Sequence, residues 1–82
     1  MYGISLCGAQ LQGADLRMAD LTEADLKMAH LNGADLKGAH LNGAHLEEAE
    51  LEGAYMKGTH MEGAYMEKVD LGANVKEIRG AG

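Results

Sequence analysis

Four histidines, one cysteine and thirteen carboxylates are the side chains of this 82-residue chain best suited to hold a metal, move a proton or attack a carbon. They do not scatter. Ser5, Asp15, Asp20, Asp25, His30, Asp35, His40, His45, Glu50, His60 and Asp70 stand at multiples of five, each immediately before a leucine or methionine. A repeat therefore places the reactive groups, and its geometry decides which of them meet. The glycines follow the same beat rather than opening a helix after a strand, so no phosphate-cradling loop or dinucleotide fingerprint is present. A single cysteine, Cys7, excludes an internal disulfide framework and fits a reducing compartment.

The beat is fullest in Ala29-His30-Leu31-Asn32-Gly33-Ala34-Asp35-Leu36-Lys37-Gly38, where alanine, a polar residue, leucine, a polar residue and glycine recur every five positions. It puts a large apolar residue at Leu6, Leu11, Leu16, Leu21, Leu26, Leu31, Leu36, Leu41, Leu46, Leu51, Met56, Met61, Met66 and Leu71. Five helical residues turn ~500°, which leaves successive leucines ~140° apart and no apolar stripe. On a straight strand an odd period would send successive leucines to opposite faces. The pattern predicts a chain that bends once per repeat in a constant sense, with every leucine aimed at a common axis: a solenoid. Glycine suits the bend because it accepts backbone angles that other residues resist, but Met18, Glu23, Met28, Glu48 and Lys68 hold the same slot. Two positions before each centre stands an alanine, except at Ile4, Thr59 and Val69. Ile4 and Val69, at the two mouths, read either as end plugs or as drift in frayed repeats. The methionine centres at 56, 61 and 66 predict a softer stretch of core.

From about Ile4 to Ala73 these repeats resemble the A-(D/N)-L-x-x consensus of pentapeptide-repeat proteins. The resemblance implies an all-β solenoid, a right-handed quadrilateral β-helix with four five-residue sides per twenty-residue coil, about three and a half coils here. The aspartate of the consensus is replaced at His30, His40, His45, Tyr55, His60 and Tyr65. The family turns that slot outward, so the replacements are expected to leave the fold intact. One domain spans 1–82, with repeats over about 4–73 and a short helical cap over 74–82. In that cap Asn74 is the N-cap, Glu77 follows three positions later and Gly80 is the stop. Val75 and Ile78 would share one face, lying over the C-terminal mouth or joining two mouths in a homodimer.

A twenty-residue coil stacks residues twenty apart in columns ~4.8 Å apart. Asp20, His40 and His60 form one column, but ligands strung along a line do not converge as a metal site requires, so no metal is expected. Ser5, Asp25, His45 and Tyr65 form another; Ser5 and His45 fall ~9.6 Å apart, too far for nucleophile activation. Gln10, His30, Glu50 and Asp70 form its neighbour. Cys7 stands over Lys27 with no predicted histidine neighbour. The basic column Arg17, Lys37 and Lys57 is flanked by Asp15 and Asp35, which predicts a self-neutralised face. No catalytic set and no cofactor site is expected.

Glu47, Glu48, Glu50 and Glu52 fall on two adjacent sides of one coil, with Glu67 and Asp70 stacked next to Glu47 and Glu50. Carboxylates ~5 Å apart repel by ~0.8 kcal/mol in water. The patch is thus expected either to attract a basic partner or to serve solubility. The net charge of −6 disfavours nonspecific nucleic-acid binding. No apolar run approaches ~18 residues and no signal peptide is visible, so neither membrane insertion nor export is expected, and a cytoplasmic setting is. These features predict a non-catalytic scaffold with an unidentified protein partner. The alternative comes from the resemblance: some family members imitate duplex DNA and bind topoisomerases such as gyrase, though those are longer and many carry central phenylalanines, which this chain lacks.

Overall fold

The computed structural model describes residues 3–70 and Gly72. Parallel bridges pair Ser5 with Asp25, Gln10 with His30, Asp15 with Asp35 and Asp20 with His40, and continue at the same spacing to Glu50 with Asp70. The chain therefore returns to the same edge every twenty residues. A corner falls every five, so each coil has four sides. The first side comprises 4–8, 24–28, 44–48 and 64–68; the second 9–13, 29–33 and 49–53; the third 14–18, 34–38 and 54–58; the fourth 19–23, 39–43 and 59–63.

Each side is three extended residues followed by a turn. In Ala24-Asp25-Leu26 the alternation of an extended chain sends alanine and leucine inward and aspartate outward. The next two residues reverse the alternation at the corner, so that the odd period no longer flips the core. The turn is closed by a hydrogen bond from the alanine amide to the carbonyl three residues back, as in Ala9 N–H to Leu6 O at 2.9 Å. In these turns the positive φ falls on the second turn residue, +70° at Gly8, which is the type II pattern. Met18, Glu23, Met28, Glu48 and Lys68 adopt the same corner at φ 59–62°. Glycine is thus preferred there and not required.

Only one residue per side is bridged, so pairing consists of isolated parallel bridges and not of long strands. Three amides per repeat nevertheless reach neighbouring coils. Leu26 N–H donates to His45 O and Met28 N–H to Glu47 O in the next coil, while Asp25 N–H donates to Ile4 O in the previous one. Across the solenoid these bonds are 2.7–3.1 Å long. With the turn bond, four of the five amides in a repeat are satisfied by backbone carbonyls.

The fifth amide, of the residue after the leucine, explains the aspartate of the consensus. Asp15, Asp20, Asp25 and Asp35 each accept a hydrogen bond from the amide two residues on, at 3.2–3.3 Å. This is an Asx-type turn, in which a short carboxylate satisfies a backbone donor that the ladder leaves over. Histidine, tyrosine and glutamate at the same slot make no such bond among the described residues.

The shaft is filled by the inward pairs. Every centre from Leu21 to Met61 is buried, whereas Leu6, Leu11, Leu16 and Met66 are partly buried at the two ends. Ile4 and Val69 also pack against the core while partly exposed, as end plugs would. Thr59, the polar member of the inward series, is fully buried, and its hydroxyl donates to Leu36 O at 2.9 Å. The molecule measures 27 × 23 × 23 Å, so the solenoid is a stub and not a long rod. The expected cap over 74–82, with Val75 and Ile78, lies outside the described residues.

Candidate functional site

The carboxylates grouped as an acidic patch come from the last turn of the first side and from the second side, and they divide into two kinds. Glu47 and Glu50 are held by imidazoles. Glu50 Oε1 lies 3.2 Å from His30 Nδ1, its neighbour in the column, and Glu47 Oε2 lies 3.4 Å from His45 Nδ1 two residues before it. The other Glu47 oxygen, Oε1, is buried and has no hydrogen-bond partner among the described residues. Glu48 occupies an exposed left-handed corner, and Glu52, Glu67 and Asp70 are exposed. None of these four side chains is hydrogen-bonded or ion-paired among the described residues. Glu48 N–H donates to Glu67 O, Leu51 N–H to Asp70 O and Gly33 N–H to Glu52 O, so backbone ladders fix all four at their roots. Two of the six carboxylates thus hydrogen-bond a histidine, and the other four have no side-chain partner among the described residues.

The histidine columns form as the twenty-residue spacing requires. His40 and His60 stack with ring centroids 4.8 Å apart and planes 9° from parallel, and Asp20 is bridged to His40 on the far side. Imidazole lone pairs lie in the ring plane, and parallel planes do not meet at a common ion. His45 stacks on Tyr65 at 4.2 Å and 4°. Ser5 is bridged to Asp25 and Asp25 to His45, so a full coil separates the serine from the imidazole. Cys7 is free and exposed. Among the described residues no group of three histidine, cysteine or carboxylate side chains is placed to share a metal.

On the third side the expected neutralisation is present in two coils and missing in one. The Arg17 Nε and a terminal guanidinium nitrogen donate to the two Asp15 oxygens, both at 2.8 Å. That fork holds the Asp15 carboxyl well below its usual range, at about 2, with the Arg17 side-chain hydrogen bond as the main cause, and it pushes the guanidinium up. Asp35 serves both Arg17, at 3.8 Å, and Lys37, at 3.7 Å. On the fourth side the Thr22 hydroxyl donates to Asp20 at 2.7 Å and lowers that carboxyl as well. In the third coil the outward slot beside Lys57 holds Tyr55 instead of a carboxylate, and Lys57 makes no ion pair among the described residues. The signal for this was in the sequence, as the change from Asp35 to Tyr55 one coil on.

The pentapeptide-repeat profile matches the chain in eight copies, over residues 1–38 and 34–72. No curated protein matches. Among solved structures, a pentapeptide-repeat protein of the Arabidopsis thaliana thylakoid lumen is similar at TM-score 0.83 and 33% identity, covering 85% of this chain and 48% of the other. The pentapeptide-repeat protein Rfr23 of the cyanobacterium Cyanothece 51142 gives 0.57 at 35% identity, covering 85% and 51%. A third, from Nostoc PCC 7120, gives 0.56 at 33%, covering 79% and 58%. The chain thus spans about half the length of the structures it matches, which share the right-handed quadrilateral β-helix of their family. The twenty-residue bridges, the turn at every fifth residue and the profile over nearly the whole chain agree: this chain belongs to the pentapeptide-repeat family.

Proposed function

We propose that the chain is a non-catalytic protein-interaction scaffold whose acidic surface engages a basic partner. The observation that carries this reading is the set of exposed, unneutralised carboxylates Glu48, Glu52, Glu67 and Asp70 on a backbone fixed by coil-to-coil hydrogen bonds. A charged surface that is already rigid loses little conformational freedom on binding, and its field raises the rate of encounter with an oppositely charged protein. Glu47 and Glu50 belong to the same surface but hydrogen-bond His45 and His30, so their side chains are less free to turn to a partner.

The test is affinity purification with the chain as bait, followed by association kinetics of the recovered partner. Lysine at Glu52, Glu67 and Asp70 should slow association, and the wild-type rate should fall steeply with salt. Unchanged kinetics in that triple variant would reduce the surface to a solubility device. Recovery of a topoisomerase would redirect the reading to DNA mimicry, which no feature of the structure favours. A cytoplasmic setting is part of the proposal and is checked by locating a fluorescent fusion. Among the described residues no helix is long and apolar enough to cross a membrane. Homodimerisation through the coil end is checked by sedimentation of a Val75→Asp, Ile78→Asp variant.

A further inference from the structure

We infer that the third side is a second docking surface, which takes an extended acidic segment of a protein partner. Three observations converge on it. The third side alone carries more cations than carboxylates, with Arg17, Lys37 and Lys57 against Asp15 and Asp35, in a chain whose other three sides are acidic. Its charge is not balanced evenly: Asp15 and Asp35 satisfy Arg17 and Lys37, while Lys57 is left without a carboxylate among the described residues because Tyr55 stands in its place. The side also offers apolar contact next to that charge. Tyr55 is 58% exposed, with the Lys37 ammonium 5.6 Å from its ring centroid, and Met18 is 70% exposed at the corner.

Asp15, Arg17, Met18, Lys37 and Gly38 line an open groove there. Gly38 has no side chain, and the Met18 sulfur occupies the place that a Cβ would take. The groove floor is thus a thioether over bare backbone, a soft apolar seat. From Met18 to Lys57 the surface crosses three coils, about 10 Å at the inter-strand spacing, or three to four residues of an extended peptide. A segment with an apolar residue against Met18 and a carboxylate at Lys57 meets both features. The surface favours a polypeptide over a nucleic acid because among the described residues it offers one unpaired cation and an apolar seat, where a phosphate backbone needs several cations.

This inference rests on the scaffold reading but not on the acidic surface, so the two fail separately. The probe is a fluorescein-labelled octapeptide of alternating leucine and glutamate, followed by polarisation and by amide chemical shifts on the full chain. Shifts should centre on Lys37, Tyr55 and Lys57. Lys57→Glu should weaken binding about fivefold or more, as expected for a charge reversal at a partly desolvated contact. Asp35→Asn should tighten it, because the amide oxygen still accepts from the Lys37 backbone while Arg17 and Lys37 lose a competing carboxylate. Both variants must retain wild-type thermal unfolding, and Glu52→Lys with Glu67→Lys should leave peptide binding unchanged or stronger. Shifts located on another side, insensitivity to both Lys57→Glu and Asp35→Asn, or equal binding of a control octapeptide with lysine in place of each glutamate would overturn the assignment. A short DNA duplex that displaces the peptide from the same residues would overturn it too, by naming a different class of partner.

Discussion

In the N-terminal half of the solenoid the outward slot holds Asp15, Asp20, Asp25 and Asp35, each turned back onto the amide two residues on. In the C-terminal half the same slot holds His40, His45, Tyr55, His60 and Tyr65, and the rings turn along the columns instead, as in the pairs His40 with His60 and His45 with Tyr65. Those four aspartates spend their side chains on their own corners, while His30 in the same half reaches Glu50 one coil on. The second half gives those corner amides no side-chain acceptor among the described residues and links coils through ring faces, which also removes the carboxylates that would neutralise neighbouring charges. Lys57 beside Tyr55 is the clearest product of that exchange. The fold tolerates it because the slot contributes nothing to the shaft.

The largest effect expected lies beneath both halves, in the shaft itself. Leu36, fully buried with a coil on each side, should cost ~2–5 kcal/mol when changed to alanine, while Leu6→Ala in the partly buried first coil should cost less. Equal losses in urea denaturation would remove the distinction between a packed middle and relaxed ends.

Asp25→Ala should destabilise by about 1 kcal/mol through loss of the bond to the Lys27 amide, and Asp25→Asn should recover most of it, since the amide oxygen accepts equally well. If asparagine is as damaging as alanine, the aspartate acts through charge, and the corner-capping account of the N-terminal half fails. A double-mutant cycle on His45 and Tyr65 should return a coupling of ~0.5–1 kcal/mol, the range for cross-strand aromatic pairs. No coupling would mean that the rings merely tolerate each other.

The smallest effect is electrostatic. Asp15 is held at about 2 by Arg17 in the folded chain and returns to its ordinary value near 3.9 on unfolding. A depressed carboxyl stabilises above the unfolded value and loses that contribution as pH falls through the folded one, here between about pH 4 and pH 2. The carboxyl carbon of Asp15 in the folded chain should titrate in that window by NMR, and Arg17→Gln should return it toward the ordinary value. An ordinary titration in the wild-type chain would show that the fork seen here does not persist in solution.

Much of the fold was legible because its rule is local. A period of five is incompatible with straight helices and straight strands, and alternation around each leucine separates inward from outward residues without knowledge of any distant contact. The corner residues followed from the same beat, including the five that are not glycine. The Asx bonds were less legible: the aspartate preference was plain, but its reason appears only when the four other amides of the repeat are seen to be taken. The pairing of Glu50 with His30 was within reach of column reasoning, yet adjacency in a column does not say which atoms turn toward each other.

The sequence by itself determined that the chain bends every five residues and which side chains fill the axis, because both follow from short-range backbone alternation. It did not determine how many bends close a coil. Nothing in a five-residue period distinguishes three sides from four; that number came with the family resemblance, and the bridges between residues twenty apart establish it. The outward chemistry depends on that closure, since it makes Lys37 the neighbour of Tyr55, His30 of Glu50 and Met18 of Gly38. Charge neutralisation is a matter of a few ångströms between side chains one coil apart, so only the tertiary structure decided that Arg17 and Lys37 are paired while Lys57 makes no ion pair among the described residues.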